Sequence, residues 1–218
     1  MNRILEPEIM DIPDGALAYA QADFSIPNQK FVDKLIELYK YNLNSVLDIG
    51  CGSADVLIRL AAALPNVHVV GIDASAPMIN IAENDIAKAG LISQIKLVKA
   101  CVPNLPFERQ SFDAVISNSL LHHLPDPMVF WNEAKLLGKK GATVFIMDLF
   151  RPESTEQAKM IVERAAANEH ELLKQDFYNS LLAAFTLEEV RQQLMDAGLS
   201  HFSVSIVSER HWLAHGIL

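Results

Sequence analysis

Cysteines, basic clusters and long apolar runs are scarce or missing in this sequence. Two cysteines, Cys51 and Cys101, occur in 218 residues, too few for a disulfide framework. Lys and Arg number 18 against 27 Asp and Glu, and without a basic patch to neutralise phosphates we expect no nucleic-acid partner. No stretch approaches the roughly 20 apolar residues that span a bilayer, and the opening MNRILEPEIMDIPDG has no apolar core of signal-peptide type. We therefore expect a cytoplasmic protein without membrane insertion.

The chain has the length and apolar content of one α/β domain. Half of its residues are apolar and 21% are charged, which is ordinary for a globular protein with a large core. We expect residues 1–218 to form a single domain. Its predicted parts are an N-terminal cap (1–44), a cofactor-binding core (45–150), a helical insertion or lid (151–185), and a C-terminal helix and hairpin (186–218).

Short apolar runs alternate with helical segments in the core, which is the rhythm of a mostly parallel sheet with helices on both faces. The runs predict strands at 45–49, 67–72, 95–100, 112–117 and 142–149. The segments between them predict helices at 54–64, 77–88 and 127–137, and the glycines at 138 and 141 predict a turn. Such sheets bind ligands at the carboxyl ends of their strands, where the strand order reverses.

The flanking segments complete the predicted fold. A helix is predicted after Pro27, and residues 152–185 form a long helical segment with a second piece near its end. Thr186 is a candidate N-cap for a helix that runs to a glycine. The alternation in 201–208 predicts an edge strand that pairs with 210–215 as a hairpin. The whole pattern predicts a Rossmann-like, doubly wound sheet with a C-terminal antiparallel hairpin.

A glycine-rich turn follows the first predicted strand, and its charges discriminate between cofactors. The turn reads DIGCGSAD from Asp48 to Asp55. A dinucleotide fingerprint needs a small residue three positions after the second glycine, Gly52, and here that position is Asp55. Asp48 places a carboxylate before the turn, which repels a pyrophosphate but attracts a sulfonium and an amino group. The pattern therefore favours S-adenosylmethionine over a nicotinamide cofactor.

Asp73 ends the second predicted strand, about 20 residues after the turn, where a carboxylate can bind both ribose hydroxyls. Its chemistry does not separate the two cofactors, because both contain a ribose. The alternative is a helix cap in the sequence Asp73-Ala-Ser75. We favour ribose binding because of the preceding strand and glycine turn.

The succession of these motifs resembles class I S-adenosylmethionine-dependent methyltransferases, most closely the small-molecule branch that includes ubiquinone- and menaquinone-type enzymes. The resemblance covers roughly residues 42–150, and it implies a seven-stranded sheet whose last strand is reversed. Its motifs are VLDIGCG (46–52), VGID (70–73) with Met78, LPF (105–107), FDAVI (112–116) and LHHLPD (121–126).

The resemblance also implies a role for each part of the predicted cofactor site. The methionine end of the cofactor lies at the glycine turn, the ribose at the second strand, the adenine against an apolar wall, and one asparagine beneath the cofactor. The implied residues are Asp48, Gly50, Cys51 and Gly52 for the methionine end, Asp73 for the ribose, Ala74, Met78, Cys101 and Val102 for the adenine, and Asn118 beneath it.

One position departs from the family's pattern. Members of the family commonly carry an Asp before the LPF motif that accepts a bond from the adenine amino group, and this chain has Cys101 there. A thiol is a weak acceptor. Either the backbone of residues 101–102 replaces the missing acid, or the affinity for adenine is reduced.

Candidate residues for the chemistry follow the later strands. His122 and His123 follow the fourth strand, and a histidine can act as a general base near neutral pH. The alternative, which we favour, is a structural cap, since methyl transfer needs a base only when the acceptor must lose a proton. Adjacent histidines are expected to point apart, and no further Cys, His, Asp or Glu cluster completes a metal site, so we predict no metal.

Residues outside the motifs are the candidates for binding the methyl acceptor. Arg151 can bind an acidic group or form a surface ion pair. Tyr178 in the insertion can stack on an acceptor, or the insertion's aromatic residues can simply pack it on the core. Tyr19 and Phe24 are candidates for covering the cofactor.

The sequence thus predicts an S-adenosylmethionine-dependent methyltransferase with a small-molecule acceptor. A catalytically inactive module of the same fold that binds the cofactor or a protein is the first alternative, and a nicotinamide oxidoreductase is the second. A homodimer is left open, and fold alone does not identify the acceptor.

Overall fold

A seven-stranded sheet lies at the centre of the part of the chain that the computed structural model describes, residues 1–6, 22–39, 43–167 and 169–218. The strand order is β3-β2-β1-β4-β5-β7-β6, with β1 to β5 parallel and β7 antiparallel to both of its neighbours. This arrangement confirms the predicted doubly wound sheet with a reversed final hairpin. The strands are β1 Ser45–Ile49, β2 His68–Asp73, β3 Ile95–Lys99, β4 Phe112–Asn118, β5 Gly138–Leu149, β6 Ser203–Ile206 and β7 His211–Ile217.

Helices cover both faces of the sheet. They are α1 Ser25–Tyr39, α2 Asp55–Ala63, α3 Ala76–Ala89, α4 Met128–Leu137, α5 Thr155–Ala165, α6 Glu171–Ala183 and α7 Leu187–Asp196. Helices α1, α2 and α3 share one hydrophobic cluster with the sheet, and α4 and α7 share the cluster on the other face. Successive residues of β1 show the alternation, since Val46 belongs to the first cluster and Leu47 to the second.

The insertion forms a small unit of its own. Helices α5 and α6 bury a separate hydrophobic cluster, which is joined to the sheet through Leu149 at the end of β5. The predicted helical segment is therefore confirmed as two helices. No helix in the described ranges is both long enough and apolar enough to span a membrane.

Helix caps agree with the sequence signals. Ser75 caps the N-terminus of α3 by accepting from the Met78 N–H, and Gly90 ends that helix in the left-handed conformation. Thr186 and Glu189 form a capping box at the start of α7. These capping residues set the helix boundaries because they bond the backbone groups that the first or last turn of the same helix leaves unpaired.

The turn predicted at residues 138–141 is wrong. Strand β5 already begins at Gly138, which pairs with Phe112 of β4, and the register shifts between Phe112 and Ala114. A side chain at Gly138 would come within 2.5 Å of Leu218. The glycine therefore allows close packing, which its sequence neighbourhood could not reveal.

The turn after β1 needs a glycine for two separate reasons. Gly50 has a φ of +80°, a conformation that disfavours other residues, and a Cβ there would lie 2.8 Å from the Leu120 side chain. The N–H groups of Gly50 and Cys51 both donate to the Ile72 carbonyl oxygen, at 2.8 and 2.9 Å. The turn is thus held between β2 and the segment after β4.

We expect Gly50→Ala to destabilise the protein more than Gly90→Ala. Gly90 has a similar φ of +72°, but a Cβ added there would meet no atom within 4 Å. Backbone strain costs roughly 1–2 kcal/mol at either site, and the clash with Leu120 adds about 1–3 kcal/mol at Gly50. Urea unfolding of both variants measures the difference. Equal losses would show that Leu120 moves aside at little cost.

Candidate functional site

Three polar side chains meet at one edge of the sheet because of the strand register. Asp48 of β1 pairs with Gly71 of β2 and with Ile116 of β4. Asp73 and Asn118 lie two residues beyond those partners, so all three side chains share one face and one edge. Strand order reverses between β1 and β4 at this edge, which is where doubly wound sheets bind ligands.

Asp48 is a buried carboxyl group with an unpaired oxygen atom. It is 2% exposed, and its Oδ1 has no hydrogen-bond partner among the described residues. Burial, together with the nearby charge of Asp73, raises the pKa of Asp48 to about 8. The charge pattern of the sequence predicted an ionised Asp48, whereas the free protein holds it mostly protonated at neutral pH. An approaching cation would favour its ionised form.

Asp73 is bound to the glycine turn and to the start of α3. Its Oδ2 accepts the Gly52 N–H at 2.9 Å, and its Oδ1 accepts the Ser75 N–H at 2.8 Å. Burial raises the pKa of Asp73, against the lowering effect of these N–H donors. Ser75, and not Asp73, is the N-cap of α3, and Asp73 instead accepts the N–H of that cap residue. Each oxygen still has a lone pair for another donor.

The remaining predicted cofactor residues surround this edge. Met78 is buried in the first turn of α3, beyond Ala74, and Cys101 is an exposed free thiol after β3, next to the half-buried Val102. Cys51 is buried, and this burial raises the pKa of its thiol well above the ordinary value. A Cβ added at Gly52 would meet no atom within 4 Å, so there is open space beside the turn.

Helix α1 contributes a residue that no sequence pattern indicated. Asn28 donates to Asp55 at 2.8 Å and accepts from the Asn118 amide at 3.0 Å. Asp55 in turn pairs with Arg59 at 2.7 Å. The Oδ1 of Asn118 has no partner within the described ranges. No local motif marks Asn28, because its partners lie 27 and 90 residues further along the chain.

His122 forms a fully buried pair with Asp148. The His122 Nδ1 lies 2.5 Å from Asp148 Oδ1, and the His122 backbone N–H donates to Asp148 Oδ2 at 3.0 Å. Burial lowers the pKa of His122, but the carboxylate of Asp148 outweighs burial and raises that pKa above its ordinary value. Burial raises the pKa of Asp148, but the contact with His122 lowers it by more, so the pKa of Asp148 lies below its ordinary value.

His123 does not point away from His122, so the expectation from the sequence is wrong. The two residues lie in a short 3-10 turn, and their ring centroids are 4.1 Å apart. His123 Nδ1 contacts the Glu6 carboxylate. Burial raises the pKa of Glu6, but its bond with His123 outweighs burial and leaves the pKa below the ordinary value. A residue from the start of the chain is thus brought beside the histidines, which no spacing rule indicates.

Arg3 anchors this N-terminal segment. Its guanidinium donates to the carbonyl oxygens of His122, Leu124 and Ala183, at 2.8, 2.8 and 2.6 Å. The same group lies 3.9 Å from the centroid of the Phe185 ring. His122 belongs to the 3-10 turn, Leu124 follows that turn, and Ala183 ends α6. Arg3 therefore joins the turn to the insertion.

The predicted acceptor residues lie elsewhere. Arg151 is buried and donates to Glu189 at 2.6 Å and to the Ala184 carbonyl oxygen at 2.9 Å. Of the two roles predicted for Arg151, the structure therefore has the ion pair, which is mostly buried. Tyr178 packs on the cluster of α5 and α6 and lines an open groove between them. Tyr19 lies outside the described residues.

The strand order defines a Rossmann-like α/β protein, and the polar edge lies at the switch point, where sheets of this kind bind ligands. A family model for a methyltransferase domain matches residues 42–194, more than half of the chain. The chain therefore belongs to the methyltransferase domain family.

Individual proteins agree with this assignment. Demethylmenaquinone methyltransferase of Bacillus velezensis is 32% identical over 128 residues, which cover 58% of this chain and 54% of that protein. The 27-O-demethylrifamycin SV methyltransferase of Amycolatopsis mediterranei is 28% identical over 164 residues, 75% of this chain and 57% of that protein. The chain thus spans little more than half the length of these curated relatives.

The fold also agrees with solved structures. The plantazolicin methyltransferase BamL, crystallised with a triazolic desmethylPZN analog and SAH, superposes with a TM-score of 0.74 at 16% identity. The match covers 94% of this chain and 91% of that one. At this identity the likeness shows the shared fold.

We expect Asp48→Asn to stabilise the free protein at alkaline pH. Above its ordinary pKa of 3.8 the carboxyl ionises in the unfolded chain, whereas the folded protein keeps it protonated up to about 8. Stability is therefore lost as pH rises through this window. Removing the uncompensated charge should raise the free energy of unfolding by about 2–4 kcal/mol near pH 8.5, and by much less near pH 4.

Urea unfolding across this pH range measures the effect. Asp85→Asn is the matched control, because Asp85 is a partly exposed carboxylate of α3 paired with Lys88. We expect the control to change stability by less than about 0.5 kcal/mol at any pH in the range. A gain for Asp48→Asn that does not depend on pH would contradict the assigned titration.

Proposed function

We propose that this chain is an S-adenosylmethionine-dependent methyltransferase that acts on a small molecule. The observation that carries the proposal is the buried, uncompensated carboxyl group of Asp48 at the switch point, in a chain of the methyltransferase domain family. A buried acid without a partner is costly unless a cation or a donor completes it. S-adenosylmethionine carries both a sulfonium and an ammonium group.

The hydrogen bonds of the turn argue against a dinucleotide. A pyrophosphate site needs free backbone N–H groups at the glycine turn. Here the Gly50 and Cys51 N–H groups donate to Ile72, and the Gly52 N–H donates to Asp73. The turn therefore presents carboxyl groups and open space in place of N–H donors, which suits a cofactor without phosphate.

Each end of the cofactor has candidate residues. We assign the methionine end to Asp48, the glycine turn and Asn118, and the ribose hydroxyls to the free lone pairs of Asp73. The adenine would lie against Ala74 and Met78. The backbone of residues 101–102 is the candidate acceptor for its amino group, because this chain lacks an acid at that position.

When bound, this cofactor supplies an electrophilic methyl group, and the protein's contribution is positioning. Asp48 and Asp73 would hold the cofactor from two adjacent strands. Leu120, packed on Gly50, fixes the segment that leads to His122 and His123. These histidines are the candidate groups nearest the acceptor, with His123 the more exposed of the two.

The acceptor is proposed to enter from the side of the insertion. We retain the division of the chain into an N-terminal cap, a core, a lid at residues 151–185 and a C-terminal hairpin. Tyr178 and Tyr19 remain candidates for acceptor contacts, and Arg151 is a weaker candidate because Glu189 and Ala184 already bind it. The relatives' names specify demethylmenaquinone and a demethylrifamycin, which supports a small-molecule acceptor. A cytoplasmic location, a homodimer and the lack of nucleic-acid partners remain predictions.

Transfer of a radiolabelled methyl group from S-adenosylmethionine to a panel of hydroxylated and quinone-like small molecules tests the activity. We expect at least one acceptor to be labelled. Binding of S-adenosylhomocysteine without labelling of any acceptor would favour the inactive module. A thermal shift with a nicotinamide cofactor but none with S-adenosylhomocysteine would overturn the proposal.

We expect Asp73→Ala to weaken S-adenosylhomocysteine binding by at least about tenfold, the scale of roughly 1–2 kcal/mol for lost buried hydrogen bonds. Calorimetric titration measures the affinity. Ser75→Ala is the matched control, because it removes the N-cap of α3 without removing the proposed ribose ligand. If the two variants lose affinity equally, the loss comes from disturbing the start of α3 and the ribose assignment is wrong.

A further inference from the structure

Two distant parts of the chain bring three metal-ligating side chains together. Among the described residues, Glu6, His122 and His123 each offer one nitrogen or oxygen atom, and these atoms all lie within 4.8 Å of one another. The group lies after β4, on the segment whose Leu120 packs on Gly50. Besides His123, the Glu6 carboxylate has a hydrogen bond with the Ser180 side chain of α6, which helps to hold it at this position.

The buried histidine is already oriented as a metal ligand would be. Asp148 holds His122 Nδ1 at 2.5 Å and also accepts the backbone N–H groups of His122 and Leu149, at 3.0 and 2.6 Å. A carboxylate on one ring nitrogen fixes the ring and leaves Nε2 for a metal, which is the usual outer-shell arrangement of metal-bound histidines. No sequence pattern indicates this contact, since Asp148 lies in β5, 26 residues after His122.

The acidic ligand is held in place as well. Arg3 bonds the carbonyl oxygens of the 3-10 turn and of α6, and the Ile4 N–H donates to the Leu182 carbonyl oxygen at 3.0 Å. These contacts fix the segment that carries Glu6 against the histidines. A preorganised group of ligands loses little conformational entropy when an ion binds.

We propose that Glu6, His122 and His123 form a binding site for a divalent transition-metal ion, with Zn²⁺ as the reference ion. Two imidazoles and one carboxylate suit Zn²⁺ and similar ions, whereas Mg²⁺ and Ca²⁺ prefer all-oxygen sites. Atoms that share a zinc ion lie roughly 3.4 Å apart. Ligand atoms near the 4.8 Å limit need to approach by about 1 Å, whereas the Glu6 carboxylate and His123 Nδ1, already in contact, need to separate.

The local charge agrees with a divalent ion. Glu6 and Asp148 supply two negative charges, which an ion of charge two balances when both histidines are neutral. Arg3 and Asp176 add one charge of each sign within electrostatic range of Glu6. Three protein ligands leave at least one coordination position open. If the proposed function holds, an oxygen or sulfur atom of the methyl acceptor would occupy that position.

Zinc titration of the untagged, chelator-treated protein tests the site. We expect calorimetry to show a single ion per chain with micromolar or tighter affinity. Glu6→Gln and His123→Ala should each weaken binding by at least about tenfold. His201→Ala is the matched control, because His201 is exposed and bonds only the Ile217 carbonyl oxygen within the described residues; it should bind zinc as the wild type does.

Cobalt substitution provides a second measurement on the folded proteins. The wild type and His201→Ala should give the visible absorption of Co²⁺ bound to nitrogen ligands, and the two site variants should lose it while keeping the wild-type circular dichroism. Absence of zinc binding in the wild type, or equal affinity in wild type and Glu6→Gln, would overturn the proposal.

Titration of the same samples with S-adenosylhomocysteine separates this inference from the proposed function. Wild-type protein that binds S-adenosylhomocysteine but not zinc would overturn the metal site alone. Wild-type protein that binds zinc through these residues but does not bind S-adenosylhomocysteine would support the metal site and count against the proposed function.

Discussion

The parallel pairing of β1 with β2 on one side and β4 on the other is the constraint on which the rest of the structure depends. Because the three strands run in one direction, their carboxyl ends meet at one edge, and the side chains that follow them converge there. The same pairing buries β1 on both faces. It thereby removes Asp48 from water and leaves a group whose protonation a bound cation would change.

A second set of contacts joins the first six residues and strand β5 to the segment that follows β4 at that edge. Arg3 and Glu6, from the first six residues, bind the turn that carries His122 and His123, and Asp148 holds His122 from β5. Three segments far apart in sequence therefore meet beside the proposed cofactor site. The proposed metal site and the proposed methyl transfer occupy adjoining parts of one edge, and each can be tested without the other.

Most of the features that depend on residues close together in the sequence were predicted correctly. The strands, the cap at Thr186 and the final hairpin depend on neighbouring residues, so periodicity and capping signals predicted them. The predicted turn at 138–141 failed because Gly138 is required by packing against Leu218. The expectation that His122 and His123 diverge failed because their directions depend on a 3-10 turn and on partners from two other segments.

The sequence by itself determined the fold class, the family resemblance and the polar residues that follow each strand, since these depend on short-range patterns and ordered motifs. Only the tertiary structure decided that the pKa of Asp48 is raised, that Arg151 is paired with Glu189, and that Glu6 lies against His123. Desolvation and long-range contacts cause all three, and both exist only after distant segments have packed together.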